Sequence, residues 1–286
     1  MKFLFSLTLK PAKRVVKQFF LIVSVTLFSA QVFGTDDIGA NALSKTMLLK
    51  QFKQQCTDSA LSANHLVAEY QIIKNTKSKN KLVNPLQLTL VRKKNEVAHQ
   101  YPQTGITESW QLNHAGQIKS IRFFDKYERA IEYQPNEKVH GKTESDWSYR
   151  NQLISDSLLN KFTTIKISNE GCGRIEKKTY TNHKITMDLT WFSELRIVNT
   201  FTVKDALSGT VLESWSLQSV QLRSDEILNF FKSRHSYFST DFADIGDDHT
   251  DPFLLKMMNL GFIEEGASGF YDIQGNAMID KKGHSH

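Results

Sequence analysis

No HExxH, GxSxG, GxxxxGK(S/T) or GxGxxG pattern occurs in the 286 residues. The chain therefore announces no zincin helix, nucleophile elbow, phosphate-cradling loop or dinucleotide turn. Cysteine is scarce too, with only Cys56 and Cys172. None lies in the first 34 residues, which excludes a lipid-modified N-terminal cysteine, and Lys13-Arg14 is not the Arg-Arg pair of twin-arginine export. The long apolar run FFLIVSVTLFSAQVF falls short of the about 20 residues that a membrane-spanning helix needs.

What is present at the N-terminus is a basic stretch, then that apolar run, then small residues, the order of a secretory signal. A cut after Gly34 puts Val32 and Gly34 at the two positions that favour modest side chains, whereas a cut after Ala30 puts Phe28 at one of them. Residues 1–34 are thus expected to be removed. Their five cations, unopposed by any acid, take the formal net charge from +6 to +1 on removal, so the pI near 9.1 belongs to the signal. The lysines of KNTKSKNK, residues 74–81, are interleaved with Asn and Ser and have no aromatic platform, which reads as a solvated loop rather than a polyanion contact. In the oxidising compartment that export implies, Cys56 and Cys172 are expected to form one disulfide. It would close a loop worth roughly 4 to 5 kcal/mol in the chain-entropy model. The alternatives are two separate buried thiols, or Cys172 in Gly-Cys-Gly as a nucleophile.

The mature chain alternates helical and strand periods. ALSKTMLLKQFKQQC places Leu48, Phe52 and Cys56 at spacing four, a helix. From His65 the period is two, through HLVAEYQIIK, LQLTLVRK, NEVAHQYP, GITESWQL, QIKSIRFF and YERAIEYQ, an antiparallel meander. SDWSYRNQLISDSLLNKF returns to helical spacing, with Ile154, Leu158 and Phe162 in line and Ser145 or Asp146 as cap. A second strand series follows, TTIKISN, GRIEKKTYTN, HKITMDLTWF, ELRIVNTFTVK and TVLESWSLQSVQL, then a helix from Ser224 and a short one capped by Asp251 with Pro252 at its first position. The expected fold is α+β: a curved, mostly antiparallel sheet, an open or half barrel, wrapped around helices. Residues 35–222 would form the open-barrel domain, and 223–286 a helical, Asp-rich extension packed on it.

The order of helix, meander, helix and meander, with MLLKQFKQQC followed by HLVAEYQIIK, resembles the periplasmic lipoprotein-carrier superfamily over residues 42–222. That resemblance implies an unclosed barrel curled around helices and holding an acyl chain. It carries over no ligand residues, and residues 224–286 have no counterpart in it.

Candidate sites come from two places. Glu108-Ser-Trp110-Gln-Leu112 and Glu213-Ser-Trp215-Ser-Leu217 each put an acid, an indole and a leucine on one strand face. Trp110, Trp191, Trp215, Phe123 and the neighbouring Phe124 could line a cavity for an apolar ligand, with Glu108 and Glu213 as paired carboxylates, although strand aromatics are ordinarily core. DFADIGDDHTDPF, residues 241–253, fails as an EF-hand, because His249 stands where the loop needs glycine if it starts at Asp244. Asp244, Asp247, Asp248 and His249 could still hold a divalent cation, while the simpler reading is a loop leading into a capped helix. His284 and His286 read as part of a frayed terminus. No cofactor is required. The leading expectation is a non-enzymatic exported carrier of a lipid or acyl chain. The alternatives are a metal-dependent envelope enzyme built on the Asp-rich segment, and a module docking an envelope protein through FLLKMMNLGF with Met257 and Met258.

Overall fold

The computed structural model describes residues 63–75, 85–139, 142–170, 173–221, 224–246 and 250–260, all within one unit spanning residues 42–286. The expected signal, the helix ending at Cys56, residues 76–81 of the lysine loop and both cysteines lie outside the described residues, as do Asp247, Asp248, His249, His284 and His286.

Alternation of apolar and polar residues builds the strands. In β1 (His65–Lys74) Leu66, Ala68, Tyr70 and Ile72 are buried in turn. β2 (Leu86–Lys93), β3 (Glu96–Tyr101), β4 (Ile106–Leu112), β5 (Ile118–Phe124) and β6 (Arg129–Tyr133) complete the first meander. A two-stranded ribbon, β7 (Lys138–Val139) and β8 (Lys142–Thr143), then leads to the helical segment. The second meander is β9 (Thr163–Glu170), β10 (Gly173–Thr181), β11 (Ile185–Phe192), β12 (Ile197–Asp205) and β13 (Val211–Gln221).

The two meanders are halves of one sheet. β1 pairs antiparallel with β13, from Val67 opposite Gln221 to Lys74 opposite Glu213. With β14 (Phe238–Asp241) at one margin, the result is a curved, open sheet of twelve strands in the order β14-β6-β5-β4-β3-β2-β1-β13-β12-β11-β10-β9. Register shifts at Glu69/Tyr70, Lys177/Lys178, Thr190/Trp191 and Val203/Lys204 add local twist. β14 was not legible in the sequence and pairs parallel with β6.

The segment read as one helix over 145–162 is two short ones, α1 (Trp147–Gln152) and α2 (Asp156–Leu159). Leu153 takes a left-handed conformation at φ 67° and ends α1, after which Ser155 accepts from the Leu158 amide and starts α2. Asp146, not Ser145, caps α1 by accepting from Tyr149 N–H. Both helices lie on the inner face, where Leu153, Ile154 and Phe162 join Leu66, Tyr70, Leu90, Trp110, Trp191 and Ile197 in the main core. α3 (Ser224–His235) packs Ile227 and Phe231 against Val91 and Ala98 on the outer face. α4 (Pro252–Asn259) begins at Asp251, which accepts from Phe253 N–H. It buries Leu254 and Met257 with Phe242 and Ile245 against Ile106, Phe124, Ile131 and Tyr133. The apolar face that suggested docking through Met257 and Met258 thus packs within the chain, and the large apolar side chains left exposed here are Leu255 on α4 and Leu260 at its C-cap.

Arg92 fastens this arrangement. It continues the buried stripe of Leu88 and Leu90 along β2 and has no exposed surface. Its guanidinium donates to the carbonyls of Ala63 (3.1 Å), Asn151 (2.5 Å), Leu195 (2.7 Å) and Arg196 (2.6 Å). One side chain thus ties the entry to β1, the end of α1 and the β11–β12 turn. Burial, opposed by Tyr70, lowers its pKa to about 10, so it remains charged at neutral pH.

Candidate functional site

Period-two geometry and register together set up the inner face. One row runs Ala68, Leu90, His99, Glu108, Arg122 and Ile131 across β1 to β6. The next runs Leu66, Arg92, Val97, Trp110, Ser120 and Tyr133. Charge is therefore concentrated on β4 and β5, beneath α1.

Arg122 Nη2 donates to Glu108 Oε1 at 2.7 Å. Arg150, from α1, lies over Trp110 at 4.1 Å from the ring centroid and over Tyr149 at 5.2 Å, and its Nε donates to Glu144 Oε2 at 2.7 Å. The His99 ring meets Trp110 edge-on at 4.7 Å. Its Nε2 lies 2.7 Å from the Arg150 carbonyl, an acceptor, so Nε2 carries the proton and donates. Burial pushes the Glu108 carboxyl up, but the guanidiniums of Arg122 and Arg150 outweigh it and hold it below the ordinary range. Burial likewise lowers both arginines, and Glu108 for Arg122 and Glu144 for Arg150 more than restore them. Tyr101 is pushed upward by burial and by Glu108.

For His99 the hydrogen bond to the Arg150 carbonyl and the Glu108 carboxylate oppose burial but do not offset it. Burial, reinforced by Arg150, lowers it to about 3. The unfolded chain therefore binds a proton near pH 6.5 that the folded chain refuses until about pH 3. Stability should be fully present above pH 6.5 and fall by about 1.4 kcal/mol per pH unit below it. His99→Gln is expected to flatten that stretch of a urea-unfolding series; an unchanged slope would assign the acid sensitivity elsewhere.

On the second meander, Trp215 stands half-buried between Ile72 and Phe201 in register, its ring 5.5 Å from Phe201. Its Nε1–H donates to Glu213 at 2.6 Å, and Lys74 Nζ lies 3.8 Å from the same carboxylate. Four strand steps separate β4 from β13, yet the Tyr149 phenol senses both glutamates: desolvation raises its pKa, and Glu108, Glu144 and Glu213 add to this against Arg150.

Trp110 and Trp191 are buried in the same inner-face core as Trp215. Phe123 is not with them. It alternates with Arg122 and lies on the outer face with Ile121, Ala130 and Tyr237, beside His235. Asp244 is exposed on the 3-10 turn Phe242–Gly246, and Asp241 accepts from Gln134 Nε2 at 2.6 Å. Asp251, besides capping α4, accepts from Arg129 Nη2 at 2.6 Å. Among the described residues no three His, Cys, Asp or Glu side chains are grouped to hold a metal ion. Arg122 and Arg150 were not singled out from the sequence. For Arg122 the signal is there: in IKSIRFF a charge sits at an inward position of a period-two strand, as Arg92 does in LQLTLVRK.

No protein-family model and no curated protein matches the chain. Solved structures do resemble it. A chain from the crystal structure of MucB in complex with MucA(peri) is 10% identical with a TM-score of 0.30, over 61% of this chain and 55% of that one. A putative outer membrane lipoprotein-sorting protein domain from Vibrio parahaemolyticus is 8% identical with a TM-score of 0.27, over 66% and 99%. A DUF1329 family protein from Desulfovibrio piger is 6% identical with a TM-score of 0.26, over 66% and 94%. The chain thus spans less than two thirds of the MucB chain, and overlaps at these TM-scores are too loose to assign a function. No helix among the described residues is long and apolar enough to cross a membrane.

Proposed function

We propose that the protein is an exported, non-enzymatic carrier that holds a lipid or acyl chain on the inner face of a half barrel wrapped around its helices. The observation that supports this best is a continuous apolar row, Leu86, Ile72, Trp215, Phe201 and Leu189, in register across β2, β1, β13, β12 and β11. Four interstrand steps make it about 19 Å long, a dimension suited to an acyl chain. Its end at Leu86 and its centre at Trp215 are half-buried, and Tyr101, Leu112 and Trp147 stand half-buried around the same core. Ile72, Phe201 and Leu189 are covered by the chain itself, so a ligand would enter the row where Leu86 and Trp215 stand half-buried. Apolar side chains left at a concave surface beside a few convergent polar groups are the usual lining of a ligand site. Export by residues 1–34 and a Cys56–Cys172 disulfide belong to the same reading.

The test is binding of dansylundecanoic acid to solvent-extracted protein. Micromolar uptake is expected, with Trp215→Ala weakening it about tenfold, a loss of 1.4 kcal/mol, and Trp215→Phe restoring most of it. No uptake by the extracted wild type would defeat the proposal.

A further inference from the structure

Twelve strands leave two margins, and the chain treats them differently. At β6 it covers its own edge with β14, and α4 packs beside it. At β9, among the described residues, no strand pairs with the outer edge. Ile165 and Ile167 on that strand are 64% and 51% exposed. Edge strands are commonly blunted by prolines, by being very short, or by lysines and bulges. β9 has eight residues and no proline; the devices it does carry are Lys166 and the register shift at Ile165, of which the lysine turns away cationic strands rather than acidic ones. Its register shift skips Ile165 and leaves residues 166–170 evenly paired with 173–177.

The charges say what kind of strand fits. Lys166 and Lys177 stand directly opposite one another across the β9–β10 pair, an arrangement of like charges that disfavours the pair. Glu176, the acid next to Lys177, is already engaged by Arg174 at 2.9 Å and Lys178 at 2.7 Å. A second copy pairing with two-fold symmetry about Lys166 would bring further lysines to this point. An acidic residue opposite Lys166 would instead lie one strand spacing from that ammonium group and two from Lys177, while the residue opposite Ile167, on the other face, met an exposed apolar side chain.

We propose that β9 is a docking edge for an extended segment of another polypeptide, which adds antiparallel as a further strand with an acid opposite Lys166 and apolar residues beside it. This surface is separate from the inner-face ligand row and does not depend on it.

Two blocked, fluorescently labelled pentapeptides, TVEVT and TVKVT, test the idea by anisotropy with the purified protein. TVEVT should bind about tenfold more tightly than TVKVT, as expected when attraction replaces repulsion at one cross-strand position. It should also slow hydrogen exchange at β9 amides that point away from β10. Lys166→Glu, at an exposed position, should reverse the order of the two peptides. Equal affinities, no binding of either peptide, or an order unchanged by Lys166→Glu would overturn the proposal. So would a dimer dissociated by Ile167→Lys, which would make the occupant a second copy of the chain.

Discussion

Replacing Arg92 by alanine should destabilise the protein by about 4 kcal/mol, enough to unfold a domain of ordinary stability at modest temperature. Two opposing effects set the size. Removal relieves the desolvation of a fully buried cation, which favours the variant. It also deprives four backbone carbonyls of their charged donor, and each buried group left unsatisfied costs about 1 to 3 kcal/mol. The second effect should win because the Leu195 carbonyl is buried with the guanidinium and the other three bonds are partly buried, so water replaces the lost donor only in part. Arg92→Lys should recover little, since an ammonium cannot reach carbonyls of three separate chain segments in the fan that a guanidinium spans. Equilibrium unfolding in urea measures both. A loss below about 1 kcal/mol for the alanine variant would mean that the carbonyls find other partners.

Glu108→Gln should cost about 3 kcal/mol at neutral pH, because it leaves Arg122 buried opposite a neutral amide. The pH dependence distinguishes this from a packing defect. The folded-state pKa of Glu108 is depressed below its ordinary value of 4.5. Its contribution is therefore fully present above about pH 4.5 and is lost as pH falls through the folded-state value. The gap between wild type and Glu108→Gln should stay constant from pH 8 to 5 and close below 4.5. A gap that persists in acid would point to shape rather than charge as the cause.

The strands were legible because each exposes one face to a core and so keeps period two: LQLTLVRK and HLVAEYQIIK announce both their extent and their buried side. What the alternation does not encode is which strands become neighbours. Nothing in HLVAEYQIIK names β13 as its partner, so the joining of the two meanders came only with the structure. Helical spacing over 145–162 was real, but Ser155-Asp156 is also a start signal, and that local cap overrode the longer pattern. β14 escaped notice because four residues carry too little periodicity. Among the site residues, Trp110 and Glu108 were found by alternation along one strand. Arg122 needed the register that sets it opposite Glu108, and Phe123 was misplaced with them because adjacency in sequence puts it on the other face. The lysine pair on β9 and β10 is likewise a matter of register alone.

The pairing of β1 with β13 also governs the order in which the chain can become complete. A polypeptide emerging N-terminus first can fold the hairpins of its first meander at once, since β2 follows β1 directly. The other edge of β1 must wait for the last strand of the second meander, because Val67 meets Gln221. For most of its emergence the chain therefore carries a strand with one free edge, whose inward residues are Leu66, Ala68, Tyr70 and Ile72, and that edge must be held apart from other chains until β13 arrives.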